Sequence, residues 1–299
     1  MPHTHSAAGE HRKRLVGVFG LTLVIFFVEV AGGLLSNSLA LLADAGHVFT
    51  DVFGLGFALA AIWVAGRPAS SERTFGYLRL EILAAVVNAL LLFGVSVYVL
   101  YEAWRRLAEP PEVTSGLMLV VAVVGLAANA VSLWVLRSAQ GQSLNMRGAY
   151  LEVMGDLAGS VAVIVAAVVI ALTGWTAADA IASAAIGLLI LPRTWHLLRE
   201  ALDVLLEATP KGVKLDEVRR HILEAPGVAG VHDLHAWTIT SGMNVVSAHV
   251  VLHEGAKTGD ILDHLGMCLS QDFDIKHSTF QLETAEHVQW EARAEQAQL

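Results

Sequence analysis

Six apolar stretches, residues 15–35, 39–65, 80–104, 117–136, 144–172 and 177–198, dominate the chain. Each comes close to the ~20 residues needed to cross a ~30 Å hydrocarbon layer. Backbone N–H and C=O groups cannot be left bare in lipid, so each stretch reads as a helix and the chain as a polytopic α-helical protein of the lipid bilayer. Composition agrees: 55% of the 299 residues are hydrophobic, 16% are charged, and the mean hydropathy is +0.58. These values lie outside the range of soluble domains. A formal net charge of -9 argues against nucleic acid as a partner, since a phosphate binder needs a basic surface. The single cysteine, Cys268, excludes internal disulfides and a zinc site of the usual multi-cysteine kind. Residues 1–14, which include His3, His5 and His11, read as a polar tail. They lead directly into a full-length span without a cleavage pattern, so the first helix is expected to stay in the mature protein.

Lys and Arg in the short connections set the expected orientation. Arg12, Lys13 and Arg14 precede the first stretch, Arg67, Arg73 and Arg79 follow the second, Arg137 and Arg147 flank the fourth-to-fifth connection, and Arg193 and Arg199 end the sixth. The opposite side carries only Arg105 and Arg106, offset by Glu109 and Glu112. Both termini are therefore expected in the cytoplasm, with the second helix running inward and the fifth outward.

Those two helices carry the chemistry. His47 and Asp51 lie four apart in the second, and Glu152 and Asp156 lie four apart in the fifth. Residues at that spacing share a helix face. His47 comes about eight residues into its helix and Glu152 about eight into its own, roughly 12 Å from opposite boundaries, so the pairs meet near mid-membrane. Ionisable groups at that depth cost roughly 2.5–3.5 kcal/mol each and seldom lack a task. One imidazole and three carboxylates make a borderline-to-hard ligand set suited to Zn²⁺, Co²⁺ and similar ions. Crowded acids cannot all stay ionised in a low-dielectric site, so metal and protons compete for the same atoms, the minimal requirement for antiport. Alternating access around a midplane site is the expected means of exchange.

Asp44, Glu29, Asn88 and Asn129 are further polar groups in the spans. Asp44 fits three roles: a partner fixing the His47 tautomer, a proton relay, or a residue of a watery outer vestibule. The asparagines are expected to hydrogen-bond between helices, and Glu29 is left open. Two rival classes use the same side chains. An intramembrane metalloenzyme would need an open coordination position and a separate base, and no H-E-x-x-H or nucleophile motif is present. A metal sensor or proton channel would bind without metal flux.

Beyond Thr209-Pro210 the composition becomes that of a soluble domain, giving an expected division into a tail (1–14), a transmembrane domain (15–208), a cytoplasmic domain (209–285) and a patternless tail (286–299). Helical spacing over 215–223 is followed by a strand-like run at 231–240, a turn at Ser241-Gly242, a second run at 245–252, a helix at 260–273 and a strand at 278–283. The order helix, strand, strand, helix, strand suggests a small α+β sandwich of ferredoxin-like kind.

Four motifs then resemble signatures of the cation diffusion facilitator family: S-L-A-L-L-A-D-A-G-H-V-F-T-D (38–51), R-T-F-G-Y-L-R-L-E-I-L (73–83), S-L-N-M-R-G-A-Y-L-E-V-M-G-D-L-A-G-S-V (143–161) and H-D-L-H-A-W-T-I-T-S-G (232–242). The resemblance implies a homodimeric divalent-metal/proton antiporter of the bacterial inner membrane, with six transmembrane helices and a metallochaperone-like cytoplasmic domain. Most zinc-specific members place a second histidine where this chain has Glu152. A carboxylate there resembles the branch of bacterial cobalt–zinc–cadmium resistance exporters, and implies that Co²⁺, and by resemblance Cd²⁺, are carried beside Zn²⁺. The family's second metal site, between the second and third helices, needs His and Asp. Residues 66–77 hold no histidine, so that site is expected to be absent. In the cytoplasmic domain the resemblance assigns metal binding at the dimer interface to His232, His249 and Glu283, with His235 and His277 as additions. It also pairs Arg79 with Glu207 in a charge lock.

Overall fold

The computed structural model describes residues 4–137 and 144–288. Its elements are α1 (Thr4–Ser36), α2 (Leu39–Ala65), α3 (Leu80–Ala108), α4 (Ser115–Leu136), α5 (Leu144–Thr173), α6 (Ala177–Leu205), α7 (Leu215–Glu224), β1 (Val228–Thr240), β2 (Met243–Leu252), α8 (Thr258–Asp272) and β3 (His277–Glu283). Every expected helix and strand is present; α2 keeps both expected ends, and the other elements differ at one or both. The largest shift is at α1, which starts at Thr4 and so takes in most of the stretch expected to be a loose tail. Residues 7–14 hold Ala, Glu, Lys and Arg, which favour helix, and elongating an existing helix costs far less than nucleating one. Five helices are long and apolar enough to span a bilayer among the described residues: α1 (over Gly17–Ser36), α3, α4, α5 (over Tyr150–Thr173) and α6. At 27 residues α2 has the length of a sixth, but it carries Asp44, His47 and Asp51. The stretch after residue 288, expected to lack a pattern, lies outside the described residues.

The chain divides into two compact units, Met1–Ala60 with Ala84–Leu198, and Ala61–Leu83 with Arg199–Leu299. In the first, the interior is built from Ala40, Ala43, Ala122, Ala166, Ala167, Ala178 and Ala182 around Leu41, Met118 and Val163. Lipid offers no hydrophobic drive for helices to associate, so small side chains that admit close backbone contact hold such a bundle. Bulky groups such as Phe27, Leu34, Trp104, Leu172 and Leu189 point outward instead.

The corner that launches α2 is fixed by side chains. Asn37 adopts a left-handed conformation (φ 56°), which Asn tolerates better than most residues, and turns the chain. Asp179, from the first turn of α6 and buried, then caps α2 from outside. Its carboxylate accepts the Ser38 hydroxyl at 2.6 Å and the backbone N–H groups of Leu39 and Ala40 at 2.7 and 3.2 Å. The Ser38 hydroxyl oxygen in turn accepts from the N–H of Leu41 at 3.2 Å. Arg106 steadies the same corner, donating to the Asn37 carbonyl at 2.8 Å. This anchoring sets the axial position of α2 and so the depth of His47.

In the second unit β1 and β2 are antiparallel, β2 and β3 are parallel, and the sheet order is β1-β2-β3. The parallel pair is joined through α8, the crossover that ferredoxin-like sheets use. Val218 and Ile222 of α7 and Ile261, Leu265 and Leu269 of α8 pack on Val246, Ala248 and Val250 of the central strand. The register of β1 shifts between His232 and His235, a bulge, with Asp233 left-handed at φ 48°. Such bulges re-aim side chains.

Candidate metal centre

Side chains of α2 and α5 bring three of the four expected groups together. His47 Nε2 lies 3.5 Å from Asp51 Oδ2 on its own helix and 3.5 Å from Asp156 Oδ1 on α5. One ligand atom from each of His47, Asp51 and Asp156 falls within 4.8 Å of the other two. All three are largely shielded, and His47 Nδ1 and Asp156 Oδ1 have no hydrogen-bond partner among the described residues. Donor atoms buried without a partner cost free energy unless something binds them. The fourth group, Glu152, lies beside Asp51 but outside that radius, and faces Arg193 Nη2 at 4.0 Å with 37% of its side chain exposed. It occupies the more accessible side of the centre.

Four further polar groups lie in the helices, and two of them, Asp44 and Glu29, are near enough to act on each other and Glu29 on Asp156. Asp44 is buried (3% exposed) against Gly159, where an added Cβ would meet its Oδ1 at 2.9 Å, so the watery-vestibule role does not apply. Glu29 is equally buried against Gly125, with Oε2 unpartnered among the described residues. Asn129 donates to Ser160 across α4 and α5 at 3.4 Å, as expected of an interhelical amide. Asn88 departs from that expectation: it packs on Gly54 and its Oδ1 finds no hydrogen-bond partner among the described residues.

In the small domain His232 and His249 sit opposite each other on β1 and β2, their rings 5.0 Å apart. Glu283 on β3 bridges them, with Oε2 3.0 Å from His232 Nε2 and Oε1 2.7 Å from His249 Nδ1. The three donors converge within 4.8 Å, a nitrogen-oxygen set that fits Zn²⁺. Burial works to raise the Glu283 carboxyl, but hydrogen bonds from Gln281 and His232 and the charges of His249 and His232 outweigh it and hold it below the ordinary carboxylate range. Asp233, absent from the expected set, is aimed here by the bulge. It contacts His235 Nε2 at 2.8 Å and His249 Nε2 at 3.7 Å. The His235 hydrogen bond, with the charges of His235, His249 and His232 added to it, outweighs burial and holds its carboxyl below the usual range. His235 thus touches the cluster through Asp233. His277 does not join it: it pairs with Val245 at the far end of β3 from Glu283 and is exposed.

Arg79 and Glu207 meet as expected, Nη2 to Oε1 at 2.6 Å. A neighbouring contact was not foreseen: Glu81 accepts from the Thr240 and Ser241 hydroxyls at 2.5 and 2.8 Å. Glu81 stands inside the quoted 73–83 motif, but only the tertiary fold shows that its partner is the β1–β2 turn.

An imidazole and two carboxylates converging among helices long and apolar enough to span a bilayer form a ligand set that suits a divalent cation, which points to the class of membrane proteins that handle metal ions. The chain belongs to the cation efflux family, the cation diffusion facilitators. The cation efflux transmembrane domain matches residues 15–206, and the cation efflux protein cytoplasmic domain matches residues 210–285. The metal cation efflux system protein CzcD of Cupriavidus metallidurans is 49% identical over 284 residues, 95% of this chain and 90% of that protein. The cadmium, cobalt and zinc/H(+)-K(+) antiporter of Bacillus velezensis is 40% identical over 293 residues, 96% of this chain and 93% of the relative. A solved structure, the metal-bound C-terminal domain of a CzcD transporter, is 42% identical and covers 24% of this chain and 99% of its own, with a TM-score of 0.23. The protein is a metal-cation efflux transporter and not an enzyme.

Proposed function

We propose that this chain exports Zn²⁺, Co²⁺ and Cd²⁺ from the cytoplasm in exchange for protons, through a mid-membrane site of His47, Asp51, Asp156 and Glu152. The convergence of the first three within 4.8 Å, from α2 and α5, is the observation that carries the reading. Names of relatives support the ion set: one is a cadmium, cobalt and zinc/H(+)-K(+) antiporter.

The chemistry follows from the ligand set. His47 supplies a nitrogen, and Asp51 and Asp156 supply oxygens and two charges that offset the cation's own. Glu152, on the exposed side, reaches Asp51 or Arg193, and serves as the ligand that first meets and last releases the ion. Carboxyl groups this close repel one another when all are ionised. Protons occupy them when the metal is absent and leave when it arrives, which ties outward metal movement to inward proton movement. Replacing the family's second histidine by Glu152 removes a nitrogen and adds a charge, and this is the basis for admitting Co²⁺ and Cd²⁺ beside Zn²⁺.

The protein is further proposed to act as a homodimer in the bacterial cytoplasmic membrane, with both termini in the cytoplasm. His232, His249 and Glu283 then hold a second divalent ion near the subunit interface of the cytoplasmic domain. The test is metal uptake by everted vesicles under an imposed pH gradient. An exporter accumulates metal and dissipates the gradient, whereas a sensor binds metal without flux.

A further inference from the structure

One group of metal-ligating side chains stands apart from both centres. His221, in the last turn of α7, and Cys268 and Asp272, one turn apart on α8, place one ligand atom each within 4.8 Å of the others. Asp272 Oδ2 is 3.7 Å from His221 Nε2 and 3.6 Å from Cys268 Sγ. A tetrahedral ion with bonds of about 2.0–2.3 Å holds its ligands about 3.3–3.6 Å apart, so the two Asp272 separations need little adjustment and the His221–Cys268 separation, within 4.8 Å, needs at most a side-chain shift of about 1 Å.

The orientation of His221 is the second observation. Its Nδ1 lies 3.1 Å from the backbone carbonyl oxygen of Glu217 one turn earlier. A carbonyl only accepts, so Nδ1 carries the proton, and in the neutral ring the Nε2 lone pair faces the Asp272 carboxylate and the Cys268 sulfur. Metal-ligating histidines are held by such a bond from the other ring nitrogen. The Phe273 ring packs edge-on against the imidazole, centroids 5.0 Å apart, and limits its rotation. Glu224, on the helix of His221, adds a second negative charge that acts on the thiol. A lone pair, a carboxylate and a sulfur facing one another with a single thiol proton among them form an arrangement that a cation satisfies.

We propose that His221, Cys268 and Asp272 bind a borderline-to-soft divalent cation, Zn²⁺, Co²⁺ or Cd²⁺, that ties α7 to α8. Binding releases the thiol proton to water and leaves thiolate, imidazole and carboxylate as ligands, with water in the remaining position. Thiolate suits Cd²⁺ and Zn²⁺ better than hard ions such as Mg²⁺ or Ca²⁺. The site does not depend on the transport reading, because neither the mid-membrane group nor the His232 cluster contains sulfur.

That difference supplies the test, since Cys268 is the only cysteine in the chain. Titrating the purified full-length protein with Co²⁺ should produce a thiolate-to-cobalt charge-transfer band that reports this site alone. Cys268→Ser should abolish the band, and His221→Ala and Asp272→Asn should weaken Co²⁺ binding at this site by about tenfold or more. Bound Zn²⁺ should slow alkylation of Cys268 in the wild type and fail to do so in His221→Ala. A wild-type titration without the band would overturn the proposal. So would a band and an alkylation rate unchanged in His221→Ala, which would mark the thiol as an isolated ligand. The variants change partly exposed side chains, and circular dichroism of each confirms that the fold persists.

Discussion

Removing the Asp179 carboxylate should loosen the start of α2 and, through it, the proposed transport site at His47 and Asp51. The side chain is 2% exposed and accepts three hydrogen bonds, from the Ser38 hydroxyl and from the N–H groups of Leu39 and Ala40. In Asp179→Ala both backbone donors lose their acceptor in a buried corner. Each costs about 1–3 kcal/mol, so the pair costs about 2–5 kcal/mol once partial rearrangement is allowed. Asp179→Asn keeps one carbonyl acceptor in place and should cost about 1–2 kcal/mol, the range of a weakened helix cap. Thermal unfolding of the purified protein in detergent, with metal uptake measured on the same preparation, reads both effects. The order of stability should be wild type, Asn, Ala, and uptake should fall in the same order, because α2 carries His47 and Asp51. An Ala variant as stable as wild type, or one that loses stability with no change in uptake, would refute the claim that this cap sets the depth of the site.

Two glycines on α5 make a matched pair. A Cβ at Gly159 would meet Asp44 Oδ1 at 2.9 Å, whereas one at Gly155 meets nothing within 4 Å. Gly159→Ala should therefore destabilise by about 1–3 kcal/mol, as overpacking does, and Gly155→Ala should gain up to about 1 kcal/mol of helix propensity; unfolding midpoints of the two decide it. Glu152→His restores a nitrogen and removes a charge, so proteoliposome flux should shift toward Zn²⁺ over Co²⁺, and an unchanged ratio counts against the selectivity argument. In α7 the Lys214 ammonium, hydrogen-bonded at 2.9 Å, holds the Glu217 carboxyl below its ordinary value. A depressed folded value gives stability that is present above the unfolded value near ~4.3 and is lost as pH falls through the folded one. Amide exchange in α7, corrected for intrinsic rates, should accelerate at acid pH in wild type and show a weaker pH dependence in Glu217→Gln.

Much of this was legible in the sequence because bilayer physics narrows the choices. Twenty apolar residues admit few structures other than a span, and i,i+4 spacing alone puts His47 over Asp51 on a helix face. In the small domain the family resemblance, not residue spacing, singles out His232, His249 and Glu283, and the structure places the three together. Contacts between distant elements were not legible. Asp179 looks like an ordinary acid in a helix first turn, and nothing local shows that it caps another helix 140 residues earlier in the chain. Asp233 joins its cluster only because a bulge puts it in a left-handed conformation, and His277 misses because parallel pairing sends it to the other end of β3. Helices outrun their apolar stretches at α1, α3 and α6. Residues of good helix propensity carry α1 beyond the hydrocarbon, and hydropathy does not register that.

The central claim is that one imidazole and its neighbouring acids carry metal in one direction and protons in the other. Zn²⁺ uptake and internal pH should be followed together in proteoliposomes holding wild type, Asp51→Asn or Asp156→Asn. The account predicts that wild type accumulates Zn²⁺ while collapsing an imposed pH gradient, and that both variants lose the two fluxes together. Zn²⁺ accumulation that persists in the variants, or that proceeds in wild type without disturbing the gradient, would contradict it.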